Sequence, residues 1–456
     1  MPLGTLFVAN RGEIAVRILR AARELGVATV QAVSEADRDS LPARMADRVE
    51  VIGPAHASRS YLNAAAIVDA ARRSGADAVH PGYGFLSENA GFAQAVEDAG
   101  LIFVGPRPET IRLMGDKARA RATAADCGIP TVPGTAERIE TAADAATRAA
   151  GIGFPLLIKA AAGGGGRGIR VAPDAAALPA LFDQAAAEAR TAFGDAGLYL
   201  ERLIPRARHI EVQILGDGTR AVHLFERECS IQRRRQKLWE EAPAVNLPSP
   251  TREALCAAAV RLAEAVGYRG AGTIEFLCDE AGEAFYFIEM NTRIQVEHPT
   301  TEMVTGVDLV RAMIHIAAGE SLPFTQPGIV LRGHAIECRL NAEDPARNFM
   351  PSPGTVTRLD LPGGPGIRVD TALYQGYAVP PFYDSLLAKL IVWDETRAAA
   401  LARMRRALGE LAIEGVATTA PLLAALARDP DLADGRVHTT WLETWLEQHP
   451  AWEAPA

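Results

Sequence analysis

Short apolar runs alternate with amphipathic segments over roughly the first 115 residues of the chain. Runs with the length and apolar character of strands lie at residues 6–9, 29–33, 77–80 and 102–104. Residues 13–25 instead carry apolar side chains at helical spacing, which predicts a helix. Strands alternating with helices are typical of a parallel sheet, in which ligands bind beyond the carboxyl ends of the strands. Residues 80–84 follow one such end and are therefore a candidate site loop.

The pattern changes near residue 116 and again near residue 331. Between about 131 and 203 it predicts a small insert, with strands at 155–160, 169–171 and 198–201 and a helix at 176–193. Strands and hairpins follow from 209 to about 300, before a helix at 307–318. The last region begins with a strand at 333–340 and contains a helix at 396–411. We therefore predict three domains, at 1–115, 116–330 and 331–446, with the insert inside the second.

Composition excludes several classes of protein. A net charge of -9 argues against nucleic acid as the main partner. The five cysteines are scattered and lack C-x-x-C spacing, which favours reduced thiols in the cytoplasm over disulfides or zinc. The sequence shows neither a signal peptide nor an apolar stretch near 18 residues, so we expect no membrane span.

Lysine is scarce, since only Lys117, Lys159, Lys237 and Lys389 stand among 47 basic residues counted as Lys and Arg. A base-composition bias that favours Arg codons would replace Lys wherever Arg serves equally well. The two side chains differ most where a phosphate or a small anion is bound. The surviving lysines are therefore candidate anion contacts, although chance survival on a solvated face remains the alternative. We interpret Lys389 as structural.

Four consecutive glycines at 163–166 follow Lys159 and join two predicted strands. The backbone N–H groups of such a loop can approach phosphate oxygens closely. The loop is neither a Walker A motif nor a G-x-G-x-x-G turn before a helix. We interpret it as a mobile flap over phosphates, and a plain flexible hairpin is the alternative.

A predicted hairpin that turns about Gly282 places Glu275 directly opposite Glu289, with Cβ atoms roughly 5 Å apart. Two facing carboxylates are unfavourable unless a cation lies between them. Asn291 lies on the same face, and this oxygen-only set suits Mg²⁺ or Mn²⁺. Arg293 and Glu297 follow as a candidate oxyanion contact and a candidate base. A solvated sheet face is the alternative interpretation.

These motifs and others in the same order identify a family resemblance. The matching segments are residues 9–15, 80–89, 114–117, 163–168, 208–211, 270–273, 289–298, 337–339 and 383–385. They resemble the biotin carboxylase component of biotin-dependent carboxylases, in the ATP-grasp superfamily, from about residue 4 to about residue 445. The resemblance implies an α/β (α+β) fold. Its parts would be a Rossmann-like parallel N-terminal domain, an ATP-grasp domain with a mobile glycine-loop lid and a C-terminal biotin carboxylase domain.

The resemblance also implies a role for individual positions. The implied ATP-binding residues are Lys117, Lys159, Gly164, Gly165, Gly166, Glu201, Ile204, His209, Gln232, Glu275 and Glu289. The implied ligands of Mg²⁺ (or Mn²⁺) are Glu275, Glu289 and Asn291. Those of bicarbonate are Lys237, Arg293, Gln295 and Val296. The implied catalytic set is Lys237, Arg293, Arg339 and the base Glu297. Biotin would contact Arg339, with Tyr83 bordering its pocket.

The implied reaction is ATP-dependent carboxylation of biotin by bicarbonate. The sequence contains no Ala-Met-Lys-Met-type segment, so we expect biotin on a separate carrier protein and a carboxyltransferase partner. Acetyl-CoA, in fatty acid biosynthesis, is the default acceptor. Propionyl-CoA, another acyl-CoA, pyruvate and urea stay open. A homodimer is also implied, since Arg20, Glu24 and Arg368 match interface positions, whereas Pro365 replaces an aromatic residue there.

Two further departures from the family pattern concern the site. Arg235 stands where the family has His, and Ala162 stands where a further Gly is usual. A fixed charge at 235 would either tighten phosphate binding or slow ADP release. The nearest alternative function is another ATP-grasp ligase that joins a carboxylate to an amine. A nucleotide-binding regulatory subunit without turnover is the second alternative.

Overall fold

A computed structural model describes residues 3–135, 137–160, 169–193 and 196–450. The N-terminal strands are β1 (Thr5–Val8), β2 (Ala28–Ser34), β3 (Arg48–Gly53), β4 (Ala78–His80) and β5 (Ile102–Phe103). They form one parallel sheet in the order β3-β2-β1-β4-β5. Its helices are α1 (Gly12–Glu24), α2 (Leu41–Met45), α3 (Ala64–Arg73), α4 (Ala90–Asp98) and α5 (Pro108–Gly115).

The four strands predicted in this region are confirmed, and so is the helix α1. The edge strand β3 was not predicted because only Ile52 among its six residues is buried, so its sequence lacks a buried run. Helix α1 packs Ile14 and Ile18 against β1 residues in one core. It ends before Gly26, whose positive φ of 72° favours glycine.

The insert forms a separate antiparallel sheet, β7-β6-β8. Its strands are β6 (Leu156–Ala160), β7 (Ile169–Ala172) and β8 (Leu198–Arg202). The helices of this region are α6 (Lys117–Asp126), α7 (Ala142–Ile152) and α8 (Leu178–Phe193). Asp116 caps α6 by accepting hydrogen bonds from two backbone N–H groups of its first turn. The glycine-loop residues Gly164, Gly165 and Gly166 lie outside the described residues.

The largest sheet crosses from the second region into the third. Its strands are β9 (Arg208–Asp217), β10 (Ala221–Arg233), β11 (Gln236–Ala242), β12 (Arg269–Cys278), β13 (Phe285–Asn291) and β14 (His334–Asn341), together with two later strands. The remaining strands are β15 (Glu343–Asp344), β16 (Met350–Pro351), β17 (Gly354–Thr355), β18 (Arg358–Asp360), β19 (Ile367–Thr371), β20 (Ala378–Val379), β21 (Leu386–Asp394) and β22 (Ala412–Glu414). The order is β13-β12-β9-β10-β11-β14-β21-β19, so β11 and β14 join the two regions edge to edge.

Helices pack against this sheet and complete its hydrophobic cores. They are α9 (Ser249–Ala265), α10 (His298–Thr305), α11 (Leu309–Ala317), α12 (Arg397–Glu410), α13 (Ala420–Leu426), α14 (Pro430–Ala433) and α15 (Trp441–Gln448). Helix α12 packs beside β21 and β14 in a core that also holds Trp239 and Trp441. In the part of the chain that the structure describes, every helix is too short or too polar to cross a bilayer.

Candidate active site

Lys237 lies at the centre of a buried cluster of charges on the large sheet. Its Nζ atom lies 2.5 Å from Glu211, 3.0 Å from Glu275 and 2.6 Å from Glu297. Burial alone would lower the pKa of Lys237, but these three carboxylates hold that pKa well above its usual range. The buried ammonium group is therefore a permanent cation.

The predicted hairpin pair is confirmed, because β12 and β13 place Glu275 opposite Glu289. The same register pairs Thr273 with Asn291, so all three implied metal ligands lie at one end of the hairpin. Burial and the charge of Glu275 raise the pKa of Glu289, which is the electrostatic signature of a carboxylate without enough positive charge nearby. Lys117 Nζ lies 3.7 Å from Glu289. Two carboxylates and an amide form an oxygen-only set that fits Mg²⁺.

His209 stands beside this pair on β9. Its Nε2 atom lies 3.3 Å from the Glu275 carboxylate and has no hydrogen-bond partner among the described residues. Burial would lower the pKa of His209, but Glu275 raises it to about 9. A protonated imidazole at this position is a further cation for phosphate oxygens. Gln232 is buried opposite Lys237 in the β10–β11 pair.

The residues of the insert lie on the small sheet and pair with one another. Lys159 on β6 forms an ion pair with Glu201 on β8. Arg121 NH1 lies 3.8 Å from the same carboxylate. Ile204, just past β8, is partly buried. The structure therefore brings Lys159 and Glu201 together, and neither has a hydrogen bond or ion pair with the Lys237 cluster among the described residues.

The segment after β13 carries the implied bicarbonate residues. Arg293 Nε lies 2.9 Å from Glu88, which belongs to the loop after β4, and Arg293 NH2 donates to Asn291 over 2.9 Å. Gln295 donates to Glu275 over 2.9 Å. Burial would raise the pKa of Glu297, but Lys237 and Arg339 lower it, so the carboxylate is ionised at neutral pH. An ionised carboxylate can accept a proton from a bound acid.

Arg339 on β14 completes the site on its other side. Its Nε atom lies 2.5 Å from Glu240 and its NH2 atom lies 2.9 Å from Glu297. Glu297 therefore lies between Lys237 and Arg339 and holds both cations. Tyr83 donates its hydroxyl hydrogen bond to Glu13, on helix α1.

Two further buried cations contact residues of this cluster, and sequence reasoning assigned neither of them to the site. Arg227 is fully buried and donates to Glu211, Gln213, Thr273, Gln295 and Thr301. Lys389 is also fully buried, 3.1 Å from Glu13, and donates to the Val296 carbonyl over 3.0 Å. Lysine scarcity was a signal for Lys389, which the sequence analysis interprets as structural; its ammonium group contacts the backbone of Val296, one of the implied bicarbonate residues. The local sequence around Arg227 contained no signal of its burial.

Comparison with known proteins covers the whole chain. The family model "Biotin carboxylase, N-terminal domain" matches residues 2–111, "Carbamoyl-phosphate synthase L chain, ATP binding domain" matches 116–325, and "Biotin carboxylase C-terminal domain" matches 337–444. A biotin carboxylase from Nostoc sp. is 52% identical over 97% of this chain and 99% of its own length. Biotin carboxylase 1 from Bacillus subtilis is 51% identical over 96% and 98%.

A solved structure gives the same result. The biotin carboxylase domain dimer of 2-oxoglutarate carboxylase from Hydrogenobacter thermophilus, in complex with MgADP, ADP and bicarbonate, superposes with a TM-score of 0.91. It is 48% identical, and the match covers 100% of both chains. The predicted fold class and family resemblance are thereby confirmed. With the sequence identity, the three matched domains and the shared fold, the chain belongs to the biotin carboxylase family.

Proposed function

We propose that this site catalyses the first half-reaction of a biotin-dependent carboxylase, in which ATP and bicarbonate carboxylate biotin. The observation that carries the proposal is the chain of charges from Glu275 through Lys237 and Glu297 to Arg339. It links a metal-binding hairpin, which suits a nucleotide, to an arginine on the neighbouring domain, which suits a second substrate. The two steps of the proposed reaction share one intermediate, so the nucleotide and the second substrate must bind at adjacent positions.

The hairpin end would receive the nucleotide as its magnesium complex. Glu275, Glu289 and Asn291 would hold the cation, which neutralises charge on the phosphates when bound. Lys117 and His209 lie beside these carboxylates and would contact phosphate oxygens. Lys159, Glu201, Ile204 and Gln232, with the glycine loop, would complete the ATP site. Mn²⁺ suits the same oxygen ligands.

Bicarbonate would bind at Lys237, Arg293, Gln295 and the backbone of Val296. Glu297 would take its proton, since this carboxylate is ionised and held in place by two cations. A bicarbonate oxygen then attacks the γ-phosphorus of ATP while the bond to the β-phosphate breaks, which gives carboxyphosphate and ADP. The fixed cations stabilise the negative charge that develops in this step.

Biotin would be carboxylated on the Arg339 side of the cluster. Carboxyphosphate yields CO₂ and phosphate, and the released phosphate accepts the N1′ proton of biotin as N1′ attacks CO₂. Arg339 would stabilise negative charge on the ureido oxygen, as an oxyanion contact does. Tyr83 would border this pocket from the N-terminal domain.

The proposal extends to the partner proteins of this chain. Biotin would be supplied on a separate carrier protein, and a carboxyltransferase would pass the carboxyl group on to acetyl-CoA by default, in the cytoplasm. The dimer of the Hydrogenobacter domain supports a homodimer for this chain. We keep the domain boundaries proposed from sequence, at 1–115, 116–330 and 331–446.

The deciding experiment is ATP hydrolysis by the purified chain with Mg²⁺, with and without bicarbonate and free biotin. We expect turnover that requires bicarbonate and rises with biotin. Turnover stimulated by a carboxylate and an amine would instead favour another ATP-grasp ligase. Nucleotide binding without any turnover would favour a regulatory subunit.

A further inference from the structure

A pair of buried carboxyl groups behind Arg339 has no assigned role in this chemistry. Glu240 on β11 lies directly opposite Glu337 on β14, and both side chains are fully buried. Within the described residues, Glu240 uses one oxygen to accept from Arg339, whereas its second oxygen and both oxygens of Glu337 have no hydrogen-bond partner. Unpaired buried charges are strongly unfavourable, so this arrangement requires a further explanation.

We propose that Glu240 and Glu337 share one proton, and that Glu240 is the positioning residue that keeps Arg339 aimed at biotin throughout the reaction cycle. The inference rests on the proposed function and extends it to a pair of residues outside the substrate contacts. A proton on Glu337 would donate to the free oxygen of Glu240. It would also leave the negative charge of the pair on the residue that touches Arg339.

The charges around Glu337 support one shared proton. The charged and titratable groups that face it are Tyr83, Glu240, Glu297, Arg339 and Lys389. Of the two cations, Lys389 forms contacts with Glu13, Asp370 and the Val296 carbonyl, and Arg339 forms contacts with Glu240 and Glu297. Neither cation has a hydrogen bond or ion pair with Glu337 in the described structure. Burial raises the pKa of Glu337 well above its usual range and raises that of Glu240 to about 7.

Arg339 needs an anchor other than Glu297. In the proposed reaction Glu297 changes charge, because it takes the proton of bicarbonate. Once neutral, Glu297 holds Arg339 less tightly, since charge-assisted hydrogen bonds are stronger than neutral ones. Glu240 has Arg339 as its hydrogen-bond partner, and its distance of 2.5 Å is the shorter of the two contacts. The hydrogen bond between Glu240 and Arg339 therefore does not depend on whether bicarbonate has lost its proton.

The test compares Glu240→Gln, Glu337→Gln and a matched control, Glu241→Gln, in the full-length chain. Glu241 is the next residue on β11, equally buried, and pairs with His334 and Arg397. We expect Glu240→Gln to raise the KM for biotin by about tenfold or more, while the KM for bicarbonate changes less than twofold. Glu337→Gln replaces a neutral acid by a neutral amide that can also donate, so its KM for biotin should stay within twofold. Glu241→Gln should lower stability without changing either KM.

Infrared spectroscopy tests the shared proton without relying on turnover. The difference spectrum between the wild-type chain and Glu337→Gln should show the C=O band of a protonated carboxylic acid. A wild-type chain that lacks biotin-stimulated turnover but shows this band would defeat the proposed function and leave the proton assignment standing. The inference is overturned if the band is absent, if Glu337→Gln raises the KM for biotin as much as Glu240→Gln does, or if Glu240→Gln changes both KM values equally.

Discussion

Replacing Arg227 by Met should damage the site and the fold together, although Arg227 contacts none of the proposed substrates. The guanidinium donates to Glu211 over 2.7 Å, to Gln213 over 2.6 Å and to Gln295 over 3.0 Å. It also donates to Thr301 over 2.8 Å and to Thr273 over 3.2 Å. Met fills a similar volume but offers no donor, so every one of these acceptors loses its bond.

The magnitude follows from the number and kind of these bonds. Each bond to a neutral acceptor contributes about 1 kcal/mol to the free energy of unfolding. Removing one partner of a buried ion pair costs about 3–5 kcal/mol. Glu211 retains Lys237 at 2.5 Å, so its charge is still partly balanced. The four bonds to neutral acceptors and part of the ion pair are lost together, so we expect Arg227→Met to lower the free energy of unfolding by about 4 kcal/mol or more. The KM for bicarbonate should also rise, because Gln295 loses the bond that orients it.

Thermal unfolding and bicarbonate-dependent ATP hydrolysis measure the two effects. Arg208→Met is the control, because Arg208 is equally buried, pairs with Glu228 at 2.5 Å and faces away from Lys237. It should lower stability and leave the KM for bicarbonate unchanged. Arg227→Lys should recover little, since an ammonium cannot reproduce the planar fork. Arg227→Met with wild-type stability and a wild-type KM for bicarbonate would refute the reasoning.

Further predictions concern the catalytic arginines, Arg235 and a buried glutamate. Arg293→Ala and Arg339→Ala should each lower the rate of biotin carboxylation by about 10²–10³ or more, with circular dichroism unchanged, and full activity in either would contradict its role. Arg235 is exposed and forms no hydrogen bond or ion pair among the described residues, so Arg235→His should not change the melting temperature. If the side chain at position 235 contacts phosphate, the KM for ATP of the Arg235→His variant should rise as the pH rises through about 6.5. The KM for ATP of the wild type should stay constant over the same pH range. Burial would raise the pKa of Glu241, but the hydrogen bond from His334 and the charge of Arg397 lower it to about 2. Its stabilising effect is therefore present above about pH 4.5 and lost as the pH falls toward 2, so Glu241→Gln should make acid unfolding less steep.

The hairpin was predictable because two local signals agree. Gly282 marks the turn, and equal spacing on either side of it pairs Glu275 with Glu289. The bulge immediately after Glu275 was not predictable, since the strand pattern allows either register beyond that point. The roles of individual residues came from family resemblance, because spacing alone does not distinguish a bicarbonate contact from any other buried cation.

Arg227 shows where sequence reasoning ends. Its hydrogen-bond partners are 14 to 74 residues away along the chain, on two strands, a loop and a helix that meet only in the folded protein. The residue lies in a segment rich in charged residues, which is typical of a solvated surface. Its burial depends entirely on tertiary structure, so no local pattern could have indicated it. Glu240 and Glu337 are similar, since only the β11–β14 register places them opposite each other.

The pairing of β11 with β14 has a consequence for folding during synthesis of the chain. β11 ends at Ala242, but its neighbour β14 begins only at His334, and β21 beyond it begins at Leu386. On the ribosome, β11 therefore presents an unpaired edge while about 90 further residues are synthesised. A fragment that stops before β14 would keep this edge and expose it to aggregation. The second and third domains, as predicted from the sequence, should accordingly be poor candidates for separate expression or for exchange between homologues.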